Sequence, residues 1–340
     1  MSFRWGFVGS GRIIPRFMEG MRLVKDAIPS AIYARNKSKA QALANQYSIE
    51  QVFDDFDEFI EKSNIDIAYI ALPHPLHLEF VNKCLDAKIP TFCEKPMGPN
   101  TDHEEQMIRR ARENDVFLAE AMWSRFFPIY RQIAEWISLG KIGELVGMNG
   151  VFSLKTPDQD GDRLFDPSQA GGVLLDLGIY LISFADVVFG RPPKNLVALG
   201  NISRHGTDDC DGFVFKYDKG EIATFFAGFR SNAKDIATIY GTNGMIEVFD
   251  SFWKPRSAKL TYEEGIINFN CPEIEDASVY GTDEVSFRGE GFHFEIKHVH
   301  ECLKQGLKES PVIPLNKSLE LMQTCDRLRK ELGIKYPFER

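Results

Sequence analysis

An acid, a base and a proline follow one another as Glu94, Lys95 and Pro96, where a short apolar stretch of this 340-residue chain ends. Proline lacks a backbone N–H and cannot continue a sheet ladder, so the strand predicted over IPTFCEKP must stop there. A parallel sheet with helices on both faces binds its ligands outside such strand ends. The pattern favours Lys95 as a residue that meets a bound cofactor, although a lysine after a strand, taken alone, reads as a surface residue.

A second pair of chemically useful residues lies in the most apolar segment, 171–190. Asp176 and Tyr180 are four residues apart, which places both on one face of a helix. The flanking residues are nearly all apolar, which predicts a buried helix rather than a membrane span. A tyrosine can act as a general base if a nearby positive charge lowers its pKa from about 10. We therefore expect Tyr180 to exchange a proton and Asp176 to orient it or bind substrate; a structural Asp–Tyr pair is the alternative.

A glycine-rich stretch, GSGRII, lies between the first predicted strand and the first predicted helix. Two glycines allow a tight turn and the close approach of a pyrophosphate to the helix N-terminus. The sixth position is Ile14, where a glycine or alanine is usual, and an ordinary turn would have the same short pattern. The position of the stretch in the first strand–helix unit favours dinucleotide binding. The candidate residues are Gly9, Ser10, Gly11, Arg12 and Ile13.

Arg35 lies 21 residues after Ile14, near the end of the second predicted strand. An Asp or Glu is expected about 20 residues after this motif when the dinucleotide is NAD. An arginine can instead pair with the 2′-phosphate of NADP through its planar guanidinium group. The sequence therefore favours NADP over NAD, with a solvated surface arginine as the alternative.

The segment LPHPLH, residues 72–77, follows another apolar strand and includes Pro73, which ends that strand. Strand ends of a parallel sheet lie at one edge, so this segment and the Lys95 segment are expected at the same site. The further candidate cofactor-binding residues are Leu72, Pro73, His74, His77, Glu94 and Lys95.

The order of apolar and turn segments predicts two domains. Over residues 1–122, strands alternate with helices, which predicts an N-terminal Rossmann domain with a doubly wound parallel sheet. After Trp123 several strands follow in succession, with the hairpin signals DKG and TNG. Residues 123–340 are predicted to form an α+β domain with a large, mainly antiparallel sheet that binds substrate and mediates oligomerisation. A C-terminal helix over residues 318–333 could pack back on the first domain.

Composition narrows the class of protein. The net charge of −9 argues against a general nucleic-acid-binding surface, and no membrane partner is expected. Six cysteines occur without a C-x-x-C pair, and the N-terminus lacks a long apolar segment, so a cytoplasmic protein with reduced thiols is predicted.

The segment HFEIKHVHE contains His293, Glu295, His298 and His300. These residues do not form H-E-x-x-H, and their spacing does not converge on one helical face. We predict an amphipathic helix with solvated histidines and no metal site.

Several motifs together resemble the Gfo/Idh/MocA family of NAD(P)-dependent oxidoreductases, in particular its branch of dihydrodiol and NADP-dependent D-xylose dehydrogenases. The resemblance covers nearly the whole chain. It rests on the G-x-G-R-I start, EKP at 94–96, AMWSRF at 121–126, FDP at 165–167, GGVLLDLGIY at 171–180, GTNG at 241–244 and FWKP at 252–255.

The resemblance implies roles for individual residues. It assigns the catalytic lysine to Lys95, implies a cis Lys95–Pro96 bond, and places Tyr180 at the tyrosine position of the branch, where many family members have histidine. The resemblance also implies a homodimer or higher homo-oligomer, because members of the family commonly associate through the second-domain sheet. The implied substrate residues are Trp123, Arg125, Phe165, Asp176, Tyr180 and Trp253.

The function expected from these residues is NADP-dependent hydride transfer to or from a secondary alcohol or hemiacetal carbon. The substrate is a small polyol, either an aldose or a trans-dihydrodiol, and the sequence leaves that choice and the direction open. A non-catalytic NADP-binding sensor or partner protein with the same fold is the alternative, which intact Lys95 and Tyr180 disfavour.

Overall fold

The first of two sheets is entirely parallel. The computed structural model describes residues 2–249, 251–271 and 290–339. Within them, one sheet has six parallel strands in the order β3-β2-β1-β4-β5-β6. Its strands are β1 (Phe3–Val8), β2 (Ala27–Tyr33), β3 (Gln51–Phe53), β4 (Ile67–Ile70), β5 (Thr91–Glu94) and β6 (Leu118–Ala121).

Helices connect these strands and bury the apolar side chains on the sheet. They are α1 (Ile13–Met21), α2 (Lys37–Tyr47), α3 (Phe56–Lys62), α4 (His77–Asp86) and α5 (Thr101–Asn114). The strand order reverses between β1 and β4, which is where a doubly wound sheet opens a crevice for ligands. The predicted parallel Rossmann sheet is thus confirmed, whereas β3 and α3 are short elements that the apolar pattern did not indicate.

The second sheet has eight strands in the order β14-β13-β12-β11-β7-β10-β9-β8 among the described residues. Neighbouring strands are antiparallel except β7 and β10, which confirms the predicted, mainly antiparallel sheet. Its strands are β7 (Leu145–Ser153), β8 (Asn195–Ile202), β9 (Asp208–Lys216), β10 (Ile222–Gly228), β11 (Ala237–Gly241), β12 (Gly244–Phe249), β13 (Ser257–Tyr262) and β14 (Gly265–Asn270).

Two helices accompany this sheet, α6 (Pro128–Ser138) and α7 (Ile179–Phe189). A π-helical turn, Leu174–Gly178, precedes α7 directly. The helical stretch Pro167–Phe189 is long and apolar enough to cross a membrane, but 83% of its most apolar window is buried inside the protein. The prediction of a buried core helix is therefore confirmed.

The last two helices are α8 (Phe292–Lys304) and α9 (Leu315–Leu332). The chain divides into two compact units, Met1–Trp123 with Glu273–Leu319, and Ser124–Pro272 with Glu320–Arg340. The functional division at residue 122 stays a prediction. In the first unit α8 packs on α1 so closely that a Cβ at Gly20 would lie 2.5 Å from the Cβ of Phe292.

The prediction of solvated histidines in α8 is wrong, because His293 and His300 are buried. Trp5 Nε1 donates to His300 Nε2 at 3.0 Å, and the other ring nitrogen of His300 lies 3.0 Å from Asp26. Burial lowers the pKa of His293 to about 4, so that ring is neutral near pH 7. These histidines serve packing, and the described residues contain no group of three or more residues able to hold a metal ion.

Candidate active site

The loop after β1 has the geometry of a dinucleotide-binding turn. Gly9 has a φ of +120°, which favours glycine, and a Cβ there would lie 2.4 Å from the carbonyl oxygen of Ala71. A Cβ at Gly11 would meet nothing closer than 3.8 Å, so a ligand has room to approach. Arg12, the N-cap residue of α1, provides no side-chain cap for the first-turn amides. The loop therefore fits the pyrophosphate of a bound dinucleotide.

Ile14 stands where the usual motif has its third glycine. Its side chain is fully buried in the first unit and belongs to the apolar face of α1. A glycine at this position normally permits close packing of the helix on its strand. Here the isoleucine is a buried residue of the helix, and the turn keeps the positive φ of Gly9.

Arg35 lies just beyond the end of β2, at the edge of the sheet where β1 also ends. Its side chain is exposed, and the described part of the chain gives it no ion pair. The next residue, Asn36, caps α2 by accepting from the backbone N–H of Lys39 at 3.0 Å. The cap fixes the chain direction at this point, and the guanidinium group is left able to meet an anion.

His77 links the segment after β4 to the segment after β5 through contacts with backbone carbonyl groups. This fully buried ring lies 2.8 Å from the carbonyl oxygen of Leu72 and 3.1 Å from that of Met97. His74, also buried, lies beside it with a ring-centroid distance of 5.8 Å. His77 therefore has a structural contact in addition to its predicted place near the cofactor.

The turn that carries Lys95 is fixed by buried carboxylates. The Lys95–Pro96 bond is cis, as the resemblance implied. The N–H of Met97 donates to Glu120 at 3.1 Å, and the N–H of Gly98 donates to Glu104 at 3.0 Å. Both carboxyl groups are almost fully buried, so hydrogen bonds shielded from water hold the chain after Lys95.

Glu94 holds the other side of this turn. Its carboxylate accepts from the hydroxyl of Tyr69 and from the backbone N–H of Lys95. Burial raises the pKa of Glu94, and Tyr69 and Lys95 oppose that rise. Glu295 of α8 is also fully buried, and burial together with the charge of Glu94 raises its pKa well above the usual range. The residue before Lys95 is therefore a glutamate whose carboxyl group is hydrogen-bonded within the protein.

In the second unit, Asp176 and Tyr180 stand on either side of a change in helix type. Asp176 lies in the π-helical turn, whereas Tyr180 lies in the first turn of α7. Such π-helical turns occur frequently at functional sites. Asp176 is paired with Arg163 at 3.3 Å, and Tyr180 is 6% exposed. The phenol is thus largely screened from water, and the carboxylate has a cationic partner.

Aromatic side chains surround Tyr180. Phe152 of β7 meets its ring edge-on with centroids 5.6 Å apart, and Trp253 lies 6.3 Å away. Phe152 and Trp253 stack on each other at 4.9 Å. Asp235 accepts from the N–H of Ser153 at 3.0 Å and from Trp253 Nε1 at 3.4 Å. One carboxylate therefore ties together the two chain segments that supply this aromatic surface.

Three predicted substrate residues have other surroundings. Trp123 stacks on Phe292 in the first unit, with ring centroids 4.4 Å apart. The side chain of Arg125 is 8% exposed and makes two 3.0 Å hydrogen bonds to Asp186. Phe165 lines a cavity of about 420 Å³ with Asn201, Arg204, Phe229 and other residues of the second unit. A substrate contact for each of these three residues stays a prediction.

Sequence reasoning missed Phe152, Arg163 and Asp235. Phe152 lies in an alternating strand, where an inward aromatic residue signals a core. Asp235 lies in a loop without any motif. The apolar surroundings and hydrogen bonds that mark them come from residues distant in the chain, so only the folded structure identifies them.

The parallel sheet, the glycine turn and the lysine at a strand end define an NAD(P)-dependent dehydrogenase, and similarity to known proteins agrees. Residues 3–122 match the model for the oxidoreductase family with an NAD-binding Rossmann fold, and residues 130–247 match the GFO/IDH/MocA C-terminal domain. The chain therefore belongs to the Gfo/Idh/MocA family.

Relatives and solved structures extend over the whole chain. Trans-1,2-dihydrobenzene-1,2-diol dehydrogenase of Mus musculus is 35% identical over 344 residues, covering 99% of both chains. Levoglucosan dehydrogenase in complex with NADH and levoglucosan shares the fold with a TM-score of 0.86 at 16% identity, covering 98% of both chains. A 3-ketoreductase from Actinomadura kijaniata, in complex with NADP and TDP-benzene, has a TM-score of 0.83 at 21% identity over 98% of both chains.

Proposed function

We propose that this chain transfers hydride between NADP and a secondary alcohol or hemiacetal carbon of a small polyol, either an aldose or a trans-dihydrodiol. The observation that carries the proposal is the buried phenol of Tyr180, placed beside the stacked Phe152 and Trp253 and following Asp176. The dihydrodiol dehydrogenase relatives and the levoglucosan dehydrogenase fold support this substrate class.

The proposed roles follow from the chemistry of the side chains. Tyr180 takes the proton of the substrate hydroxyl during oxidation and returns it during reduction. Lys95 supplies the positive charge that favours the ionised phenol. Asp176, whose charge is balanced by Arg163, binds or orients a substrate hydroxyl. When bound, NADP accepts or donates the hydride, and the protein positions the reacting groups.

The proposed cofactor site comprises the glycine turn and the segments after β2, β4 and β5. The proposed substrate site keeps Tyr180, Asp176 and Trp253, with Trp123 and Phe165 as further aromatic walls. Arg125 is the weakest member of that set, because Asp186 already engages its guanidinium group. Flat apolar rings beside polar groups suit the apolar faces and hydroxyl groups of a sugar or a diol.

The experiment that tests the function measures NADPH formation with a panel of aldoses and trans-dihydrodiols. We expect turnover with at least one aldose or trans-dihydrodiol of the panel. Comparison of kcat/KM across the panel identifies the substrate class. Absence of NADP reduction and of NADPH oxidation with all alcohols and matching carbonyl compounds would contradict the proposal.

Arg35→Asp is expected to reverse the preference for NADP. The change removes a charge-assisted partner of the 2′-phosphate and adds repulsion, which costs about 2 kcal/mol or more in NADP binding. Dissociation constants for NADP and NAD, measured by nucleotide fluorescence quenching, check this result.

Two neutral variants separate direct pairing of Arg35 with the 2′-phosphate from the general effect of a nearby positive charge. Arg35→Gln should weaken NADP binding selectively, whereas Lys37→Gln should not, because Lys37 is paired with Asp54 at 2.9 Å. An unchanged ratio of NADP to NAD affinity in Arg35→Asp would overturn the assignment of Arg35.

We also propose that the chain forms a homodimer through the outward face of the second sheet. Val197, Leu199, Val214 and Ile222 are exposed on its neighbouring strands β8, β9 and β10. An apolar surface of this kind is typical of a protein interface. Light scattering should give a dimer mass for the wild type and a lower mass for Leu199→Glu; a monomeric wild type would refute the proposal.

A cytoplasmic location is part of the same proposal. The structure describes all six cysteines as free thiols, which suits a reducing compartment.

A further inference from the structure

Two aspartates of β9, Asp208 and Asp211, are both fully buried. Residues three apart in a regular strand point to opposite faces of the sheet. Here the pairing with β8 shifts, so that Asn201 faces Cys210 but Ile202 faces Asp208. This irregularity leaves Asp209 as an extra residue and turns both buried aspartates to the interior. A bulge next to an active-site element is a recurring way to redirect side chains.

Asp208 is bonded to the start of the helical segment that carries the proposed acid/base groups. The backbone N–H of Leu174, the first residue of the π-helical turn, donates to its carboxylate at 2.6 Å. Gly172 has a φ of +125°, and a Cβ there would lie 2.0 Å from Asp208 Oδ1. Only glycine therefore permits this approach, and Asp176 and Tyr180 follow within two turns.

Asp211 lies next to Asp208, and a glycine on the neighbouring strand faces it. A Cβ at Gly200 would lie 2.2 Å from Asp211 Oδ1, so the neighbouring strand leaves space for the carboxyl group. Burial first, and then the negative charge of Asp208, raise the pKa of Asp211 to about 9. Asp209 also opposes ionisation, and Tyr336 is the titratable group that faces Asp208 from the chain's C-terminal segment.

The pair can carry one negative charge more easily than two. Two adjacent buried carboxyl groups cannot both ionise near neutral pH, because each charge opposes the other. Asp211 therefore keeps its proton and can donate it in a hydrogen bond to Asp208. Burial raises the pKa of Asp208 as well, whereas the amide of Leu174 and then the hydroxyl of Asp211 favour its ionised form.

We propose that Asp208 is a positioning residue for the helical segment that carries Asp176 and Tyr180, and that Asp211 is the proton-bearing partner that fixes Asp208. The inference rests on the proposed role of Tyr180 in proton transfer. Asp208 fixes the first residue of the π-helical turn. That helical turn then sets the direction of the Asp176 and Tyr180 side chains.

The first test measures kcat, KM and the NADP dissociation constant for Asp208→Asn, Asp211→Leu and Asp211→Asn. Replacement of the carboxyl group that accepts from the Leu174 amide, in Asp208→Asn, should lower kcat between about 10- and 100-fold, because small misplacements of reacting groups have effects of this size. NADP affinity should stay unchanged. Asp211→Leu should behave similarly, whereas Asp211→Asn retains an N–H donor and should recover at least about a third of the wild-type kcat.

A second measurement separates this inference from the proposed function. Hydrogen exchange over residues 171–180 should rise in Asp208→Asn, while exchange over residues 257–262 of β13 should not. Faster exchange with lower kcat supports the proposal. Unchanged exchange, or faster exchange with unchanged kcat, overturns it. Failure of the acid/base assignment would instead appear as full activity of Tyr180→Phe.

The proton on Asp211 can be tested without any activity assay, and this covers the case in which a variant of Asp208 does not fold. Asp211 ionises near pH 4 in the unfolded chain and near pH 9 in the folded one. Its contribution to stability is present below about pH 4 and is lost as the pH rises toward about 9. The Tm of the wild type should fall relative to that of Asp211→Asn between about pH 5 and about pH 8. Parallel Tm profiles would overturn the assignment of the proton.

Discussion

Tyr180→Phe is expected to lower kcat by about 10²–10⁴-fold, the range for removal of a positioned general acid or base. The variant loses a hydroxyl group and keeps the ring that packs against Phe152 and Trp253. The fold and NADP binding should therefore survive. Steady-state kinetics in the oxidation direction, with circular dichroism and NADP titration as checks, measures the effect.

The pH dependence gives a more specific result. Oxidation by the wild type should rise with pH until the base is ionised, and this limb should disappear in Tyr180→Phe. Tyr130→Phe is the matched control, because Tyr130 is a buried tyrosine of the same unit whose ring packs on Phe184 of α7. Full kcat and an unaltered pH profile in Tyr180→Phe would transfer the base role to Lys95 or a bound water.

Lys95→Met is expected to abolish most turnover while NADP binding is largely kept. Methionine preserves much of the side-chain bulk and removes the charge, and the proposed contacts of the dinucleotide lie mainly in the glycine turn and at Arg35. In the remaining activity, the rising limb of the pH–rate profile should move to higher pH, because the positive charge proposed to favour the phenolate is gone. Residual kcat across pH and the NADP dissociation constant are the measurements.

Lys62→Met is the control for loss of a lysine charge from the same unit. Lys62 is a surface residue of α3, paired with Glu58 at 2.7 Å, and its replacement should leave kcat and the pH profile unchanged. A Lys95→Met variant with kcat close to that of the wild type would show that Lys95 serves the structure of the turn only.

The local sequence predicted the strands and turns around the candidate site, because their sequence patterns depend on residues close together in the chain. The glycine turn at Gly9–Gly11 and the stop after β5 depend on backbone restrictions of glycine and proline, which are properties of single residues. Alternating strands and helices likewise predicted the parallel sheet, and the turn signals DKG and TNG predicted hairpins of the second sheet. The resemblance to the family then added the role of Lys95 and the cis bond, which spacing alone does not give.

Other features depended on long-range burial. The sequence predicted exposed histidines in α8, but the packing of α8 on α1 buries them, and Trp5 and Asp26 supply the partners. An amphipathic pattern shows which residues are apolar, but it cannot show that a polar residue finds a partner some 295 positions away.

The helical segment with Asp176 and Tyr180 shows most clearly what the sequence determined and what the tertiary structure decided. The sequence by itself determined an apolar helix with Asp176 and Tyr180 four residues apart, because periodicity and hydrophobicity are local properties. Only the tertiary structure decided that Asp176 lies in a π-helical turn, that Arg163 balances its charge, and that Asp208 bonds to the start of that turn. The physical reason is that burial and strand register set these contacts, and both arise from residues brought together by folding; a single bulge in β9 turns Asp208 and Asp211 to the same side.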